Sequence, residues 1–195
     1  LGYMQQEATV IGSAFERIAG SLNFSKDLTK NITFSSNNQA SHMLQNAFLE
    51  TSAYFESPRS VKYFLSPLVT PYDQEGNINL FGGSLPNPLY LVENNVSDNR
   101  LTRIVTNNGV TWDFAKGFTF GSTFNVDMQL YNFRTYSNPT YGYGAATSGD
   151  ASQYDRTNVF YVFQNYFDYA LELGESHRFN FKLLQEYQSN RRYFV

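Results

Sequence analysis

The chain has 195 residues, a formal net charge of −3 and no cysteine, which excludes a disulfide framework and a Cys-based zinc site. With Lys+Arg at only 14, a nucleic-acid surface is disfavoured. Aromatic residues reach 17%, with 18 Phe and 15 Tyr, against 16% charged residues, and no apolar run approaches the ~20 residues of a spanning helix.

Residues 1–20 lack a basic start and a continuous apolar core, so no signal peptide is expected there. The first strand is expected at about 15–24, where Ile18, Leu22 and Phe24 alternate with Arg17, Ser21 and Asn23. The polar turn 25–31 leads to a second strand at 32–44, with weak alternation of Ile32, Phe34 and Ala40 against Thr33, Ser35, Asn37 and Gln39. Segment 45–99 shows no sustained period and reads as a long loop. Within it, Ser57 as N-cap, Pro58 at the first helical position and Pro67 beyond the end predict a short helix at about 58–65. The run "PYDQEGNIN" (71–79) lacks the spacing of a calcium loop and predicts a Gly-assisted hairpin turn.

A third strand at 100–114 sets Ile104, Val110, Trp112 and Phe114 against Arg103, Asn107, Thr111 and Asp113. The turn "AKG" leads to the clearest element, 118–133. There Phe118, Phe120, Phe124, Val126, Met128 and Leu130 alternate with Thr119, Thr123, Asn125, Asp127 and Gln129. Segment 134–157, rich in Gly, Ser, Thr and Tyr, reads as a loop. Strands at 159–173 and 178–190 follow across the turn "GESH".

About six strands, most far longer than the usual 5–6 residues, are thus joined alternately by short and long connections. That rhythm is the one expected of an antiparallel transmembrane β-barrel, with short periplasmic turns and long extracellular loops. The long strands cross lipid, and Phe24, Phe34, Trp112, Phe114, Phe118, Phe120, Tyr169 and Phe179 beside the short turns suit an interfacial girdle. Ile104, Val110, Phe120, Phe124, Val126, Phe163, Phe167, Phe181 and Leu183 are expected to face outward. Asn107, Thr123, Asn125, Asp127, Gln164, Lys182 and Glu186 are expected to face the lumen. A soluble antiparallel sandwich shows the same alternation, so a secreted carbohydrate-binding β-sandwich stays open as the alternative, with a surface adhesin or secretion-associated barrel as a third.

No catalytic constellation is present, and no enzyme activity or cofactor is expected. Asp168 and Glu172 share a strand face and read as solvated lumen rather than a glycosidase pair. His42 and His177 lie far apart near strand ends and read as surface residues rather than metal ligands. The long loops carry the candidate substrate or partner residues Tyr54, Phe55, Tyr63, Tyr90, Tyr136, Tyr141, Tyr143 and Tyr154, since flat aromatics stack on sugar faces and suit adaptable recognition. Ordinary loop packing at the barrel mouth would use the same residues.

The wording of the chain also resembles a known family. "LGYMQQEATVIGSAFERIAGSLNFS" (1–25), "SAYFESP" (52–58), "LPNPLYLVENN" (85–95) and "HRFNFKLLQEYQ" (177–188) are similar to barrel segments of SusC/RagA-type TonB-linked outer-membrane proteins. "NPLYL-EN" is the most specific string, while Ala8 and Leu184 stand where the family often has Gly. The resemblance implies part of a larger barrel, similar to those with ~22 strands. It implies import of glycans, oligosaccharides or peptides, energised through TonB, with a SusD-like surface lipoprotein as partner and no nucleic acid. It places the chain in the outer membrane of a Gram-negative, Bacteroidota-like bacterium, in contact with lipid. No plug domain, TonB-binding segment or carboxy-terminal strand is recognisable, so the chain is expected to be a middle slice of one barrel domain.

Overall fold

The computed structural model describes residues 1–46, 56–80, 85–174 and 176–195. The strands are β1 (Gly2–Glu7), β2 (Ala14–Thr29), β3 (Ile32–Asn46), β4 (Val96–Ala115), β5 (Phe118–Ser137), β6 (Asp150–Leu173) and β7 (His177–Phe194). They form one sheet in the order β1-β2-β3-β4-β5-β6-β7, every neighbouring pair antiparallel. Two short helices, α1 (Pro58–Val61) and α2 (Pro88–Asn94), and a 3-10 turn (Tyr143–Thr147) lie in the long connections.

Seven strands replace the expected six. The added strand is the first: Gly2–Glu7 pairs residue by residue with Ala14–Ala19. Both faces of that pair mix polar and apolar residues, Tyr3 against Ile18 and Met4 against Arg17, so no alternation marks it, and Tyr3 donates its hydroxyl to Glu16 across the pair at 2.5 Å. The other strands also outrun their sequence bounds. β4 begins at Val96 rather than 100, and the loop read at 134–157 shrinks to 138–149. Residues 134–137 and 150–153 are paired in register, from Arg134↔Gln153 to Ser137↔Asp150. Polar cross-strand pairs hold these ends, such as Thr135 and Ser152 with hydroxyls 2.6 Å apart.

β6, with 24 residues, is the longest strand. At a rise of ~3.3 Å per residue it spans about 80 Å, and a barrel tilt of ~40° leaves about 60 Å of height. That is about twice the hydrocarbon thickness of a bilayer, so the strands run on beyond it. The outer ends are therefore wet on both faces, and period-2 patterning fades there.

Directly opposed residues share a face, and the register shifts only near two short turns, at Asp27/Thr29 and Asp113/Ala115. One face is apolar: Phe120 opposes Phe167, which opposes Leu183; Phe124 opposes Phe163; Val110 opposes Phe34. Rings run along its short-turn end. Trp112 and Phe114 are 5.4 Å apart, Phe114 and Phe118 5.7 Å, and Phe118 stacks on Tyr169 at 4.0 Å. No second sheet covers this face among the described residues. Phe124 stays 45% exposed and Phe163 37%, and among the described residues the buried apolar side chains are Val61 and Leu91, in the long connection rather than the sheet. A β-sandwich would enclose Phe124 and Phe163 in a dry centre, so the sandwich expectation is set aside.

Candidate functional site

The opposite face is polar. Asn107 opposes Asn125, Val105 opposes Asp127, Thr123 opposes Gln164, Gln164 opposes Glu186, and Asp168 opposes Lys182. Asn107, Asn125, Asp127, Gln164, Lys182 and Glu186 thus lie together on one surface. Several are paired within it. Arg103 grips Asp127 bidentately, Nε and Nη2 donating to its two oxygens at 3.0 and 2.7 Å. Gln164 donates to Glu186, Lys182 lies 3.4 Å from Asp168, and Arg178 lies 3.5 Å from Glu172. Gly121 sits under the Tyr166 ring, where an added Cβ would fall 2.1 Å from Cζ, and Lys182 Nζ lies 5.0 Å above the same ring. A hollow of about 310 Å³ opens on this face between β2 and β4, lined by Arg17, Ser21, Gln39, Ser41 and Arg103 over small residues such as Ala19 and Gly20.

At the long-connection end, separate segments close into a cap. Asn87 occupies the N-cap position of α2, with Pro88 in its first turn. The Asn87 side chain is fully buried and fully used. Its Oδ1 accepts from the Leu89 N–H at 3.0 Å, and its Nδ2 donates to the carbonyls of Pro71 (2.8 Å) and Asn79 (3.0 Å). The Asn87 N–H donates to the Tyr141 hydroxyl at 2.8 Å, and the Tyr141 ring meets Tyr90 edge-on at 5.1 Å. Glu56, also buried, accepts from the Tyr143 N–H. Burial pushes the Glu56 carboxyl above the usual carboxylate range, and that N–H pulls it partly back. Gly142 passes directly over this contact at φ 76°, ψ −160°. A Cβ there would lie 2.5 Å from Glu56 Oε1 and 2.9 Å from Leu91 Cδ2. The hairpin expected at 71–79 is present, bridged between Tyr72 and Ile78. Its Asp73 carboxylate is held below its ordinary range by the Asn77 backbone N–H.

The aromatic loop candidates therefore divide. Tyr90 and Tyr141 meet inside the cap, while Tyr63 and Tyr143 point to solvent. Tyr136 and Tyr154 are corrections, because they stand on β5 and β6 rather than in a loop. Tyr136 opposes Val96, and Tyr154 opposes Phe133 on the polar face, with the Phe194 ring 6.1 Å away. Tyr54 and Phe55 lie outside the described residues. The helix expected at 58–65 is only Pro58–Val61, and Ser57 holds the N-cap position without a side-chain capping bond, since its own carbonyl closes the turn with Ser60 and Val61. Helix α2 went unforeseen, although Asn-Pro at 87–88 is the signal for it. His42 Nδ1 lies 2.8 Å from the Thr102 hydroxyl and His177 lies beside Phe179, so the structure does not bring the two histidines together.

No protein-family model matches the chain. The TonB-dependent receptor P39 of Formosa agariphila is 28% identical over 178 residues, which cover 90% of this chain and 16% of the relative. Among solved structures, a chain of the RagAB peptide transporter matches with a TM-score of 0.73 at 18% identity, over 96% of this chain and 22% of that one. The RagAB peptide importer in its open-open state matches at 0.70 and 17% identity, over 92% and 20%. The chain thus spans between 16% and 22% of the length of these proteins. The class defined by the fold is a transmembrane-type antiparallel β-barrel, of which this sheet matches a segment. Within that class the resemblance read from the sequence is borne out: the chain is similar in sequence to a TonB-dependent receptor and in fold to a chain of the RagAB transporter. The relatives are named as a receptor and an importer.

Proposed function

We propose that this chain is a wall and part of the mouth of a TonB-dependent importer of large nutrients, whether glycans, oligosaccharides or peptides. It works with a SusD-like surface lipoprotein in the outer membrane of a Gram-negative bacterium. The observation that carries the reading is the single sheet with one apolar and one polar face, ringed by aromatics at its short-turn end. An apolar face with no protein layer over it suits lipid, and a polar face suits a wide wet lumen. The similarity to RagAB and to the Formosa agariphila receptor supports the same reading. On it, Asn107, Asn125, Asp127, Gln164, Lys182 and Glu186 line the lumen, and the exposed Tyr63 and Tyr143 are the cap side chains offered to a partner or cargo.

The test is uptake by cells expressing the full-length protein, with and without TonB. Loss of uptake without TonB, with the barrel still assembled, is the expected result, and unchanged uptake overturns the reading. The partner is tested by excising 139–148, the part of the connection that is not strand. Co-purification of the lipoprotein should weaken while the barrel still runs as a heat-modifiable band. Undiminished co-purification would leave that loop without a docking role.

A further inference from the structure

Charge on the polar face is segregated along the strands. On the rows toward the cap, Arg17 opposes Met43, Arg103 opposes Gln129, Tyr131 opposes Arg156, and Asn158 opposes Arg192. Among the described residues the carboxylates there are Asp127, whose two oxygens Arg103 already engages, and Asp150 at the outermost pair of β5 and β6. The rows toward the short turns carry Asp27, Asp113, Asp168, Glu172 and Glu186, with only Lys182 and Arg178 against them among the described residues. Arg156 lies over the Tyr131 ring at 4.9 Å, and among the described residues no carboxylate pairs with Arg17, Arg156 or Arg192. Around the hollow, Arg17 and Arg103 stand beside Ser21, Gln39 and Ser41, side chains that both donate and accept hydrogen bonds.

We propose that this outer half of the polar face binds an acidic oligosaccharide, one whose sugars bear carboxylate or sulfate groups. Unpaired guanidiniums recognise such anions through paired N–H donors. Sugar hydroxyls also donate and accept, which matches the amide and hydroxyl lining of the hollow. The half-exposed Tyr154 ring supplies a flat apolar surface beside the arginines. An acidic peptide would satisfy the charges but leave that lining poorly used. The acidic inner rows repel the same ligand and so hold it at the mouth. The inference rests on the importer reading, because it needs this face to line a lumen.

The experiment uses the full-length protein in detergent and calorimetric titration with hexagalacturonate, a sulfated hexasaccharide, cellohexaose and hexaglutamate, at low and high salt. At least one of the acidic sugars should bind about tenfold or more tightly than cellohexaose and hexaglutamate, and weaken as salt rises. Arg17→Gln combined with Arg156→Gln should lower that affinity about tenfold, with heat-modifiable mobility unchanged. Equal binding of cellohexaose, tighter binding of hexaglutamate, no binding of either acidic sugar, or undiminished binding by the folded double variant would each overturn the proposal. TonB-dependent uptake of a neutral cargo together with any of those results sinks this inference and leaves the importer standing. Acidic-sugar binding without any TonB-dependent uptake does the reverse.

Discussion

On the apolar face, β5–β7 and β3–β4 are built from different materials on the same rows. Phe124 opposes Phe163 and Tyr187 follows, and Val126 opposes Tyr161. Carried across to β4 and β3, those rows become Asn108 and Ser36, then Thr106 and Asn38. The polar stretch is closed on itself. Asn38 donates to Ser36 Oγ at 2.8 Å and to the Leu22 carbonyl at 3.4 Å; Ser36 donates to Asn108 Oδ1 at 2.7 Å; Asn108 donates to Thr106 Oγ1 at 2.8 Å. Ser36 is almost fully buried within this chain of bonds. An unpaired polar group in hydrocarbon costs several kcal/mol, whereas a paired one costs far less. The two regions therefore suit lipid by different routes: β5–β7 through apolar area, β3–β4 through internal pairing.

The sharpest way to break this comparison is a charge on the apolar side of β5. Phe124→Arg, near the middle of the apolar stretch, should cost about 2–4 kcal/mol, and Thr123→Arg on the polar face far less. The folded fraction of full-length protein, read from heat-modifiable gel mobility, reports both. Equal losses would mean that the faces have been assigned the wrong way or that neither meets lipid.

A smaller effect tests the polar route itself. Asn108→Ala strands the Ser36 hydroxyl without its acceptor and should cost about 1–3 kcal/mol. Ser36→Ala added to Asn108→Ala removes that donor and acceptor together and should cost less than the sum of the two single variants. If the double variant is simply the sum of the two single ones, the bonds in this ladder are not coupled and the comparison loses its β3–β4 half.

Gly142→Ala tests the cap rather than the sheet. At φ 76°, ψ −160° an L side chain is strained, and its Cβ would overlap Glu56 and Leu91. The expected cost is about 1–2 kcal/mol, confined to the cap. It should show as faster proteolysis within 138–149 with the sheet intact. Unchanged nicking would mean that this connection is already open in solution.

What could be read from the sequence tracks the solvent on each face. Where one face is apolar and the other wet, as from Phe118 to Leu130, alternation fixed both the strand and its orientation. Beyond Leu130 the pattern breaks: on the face that was apolar Asn132 bonds Asp155 and Arg134 grips Asp98, while Tyr131 and Phe133 stand on the other. The strand continues there without any period to announce it, which is why 134–137 and 150–157 read as loop and why Arg156 escaped notice as a wall residue. The cap was legible only in pieces. Asn87-Pro88 carries a helix-start signal, but its bonds to Pro71, Asn79 and Tyr141 join segments distant in the chain, and no local pattern encodes that.

The smallest effect concerns pH at the same cap. Burial raises the Glu56 carboxyl, so the folded cap prefers the protonated form. The sign follows from linkage: cap stability is fullest below the ordinary carboxylate range and declines as pH rises through the raised value. The Tyr143 N–H bond opposes this only in part, because Oε1 accepts in either protonation state. Protection of the Tyr143 amide from hydrogen exchange, corrected for the intrinsic rate, should therefore be a few-fold greater near pH 4 than near pH 7. Glu56→Gln keeps an oxygen acceptor while removing the charge, so it should flatten that dependence and hold the acid-side protection throughout. The sheet amides, whose bonds do not involve Glu56, serve as the internal reference. Greater protection at pH 7 than at pH 4, or a Gln variant that still titrates, would show that another group controls the opening of the cap.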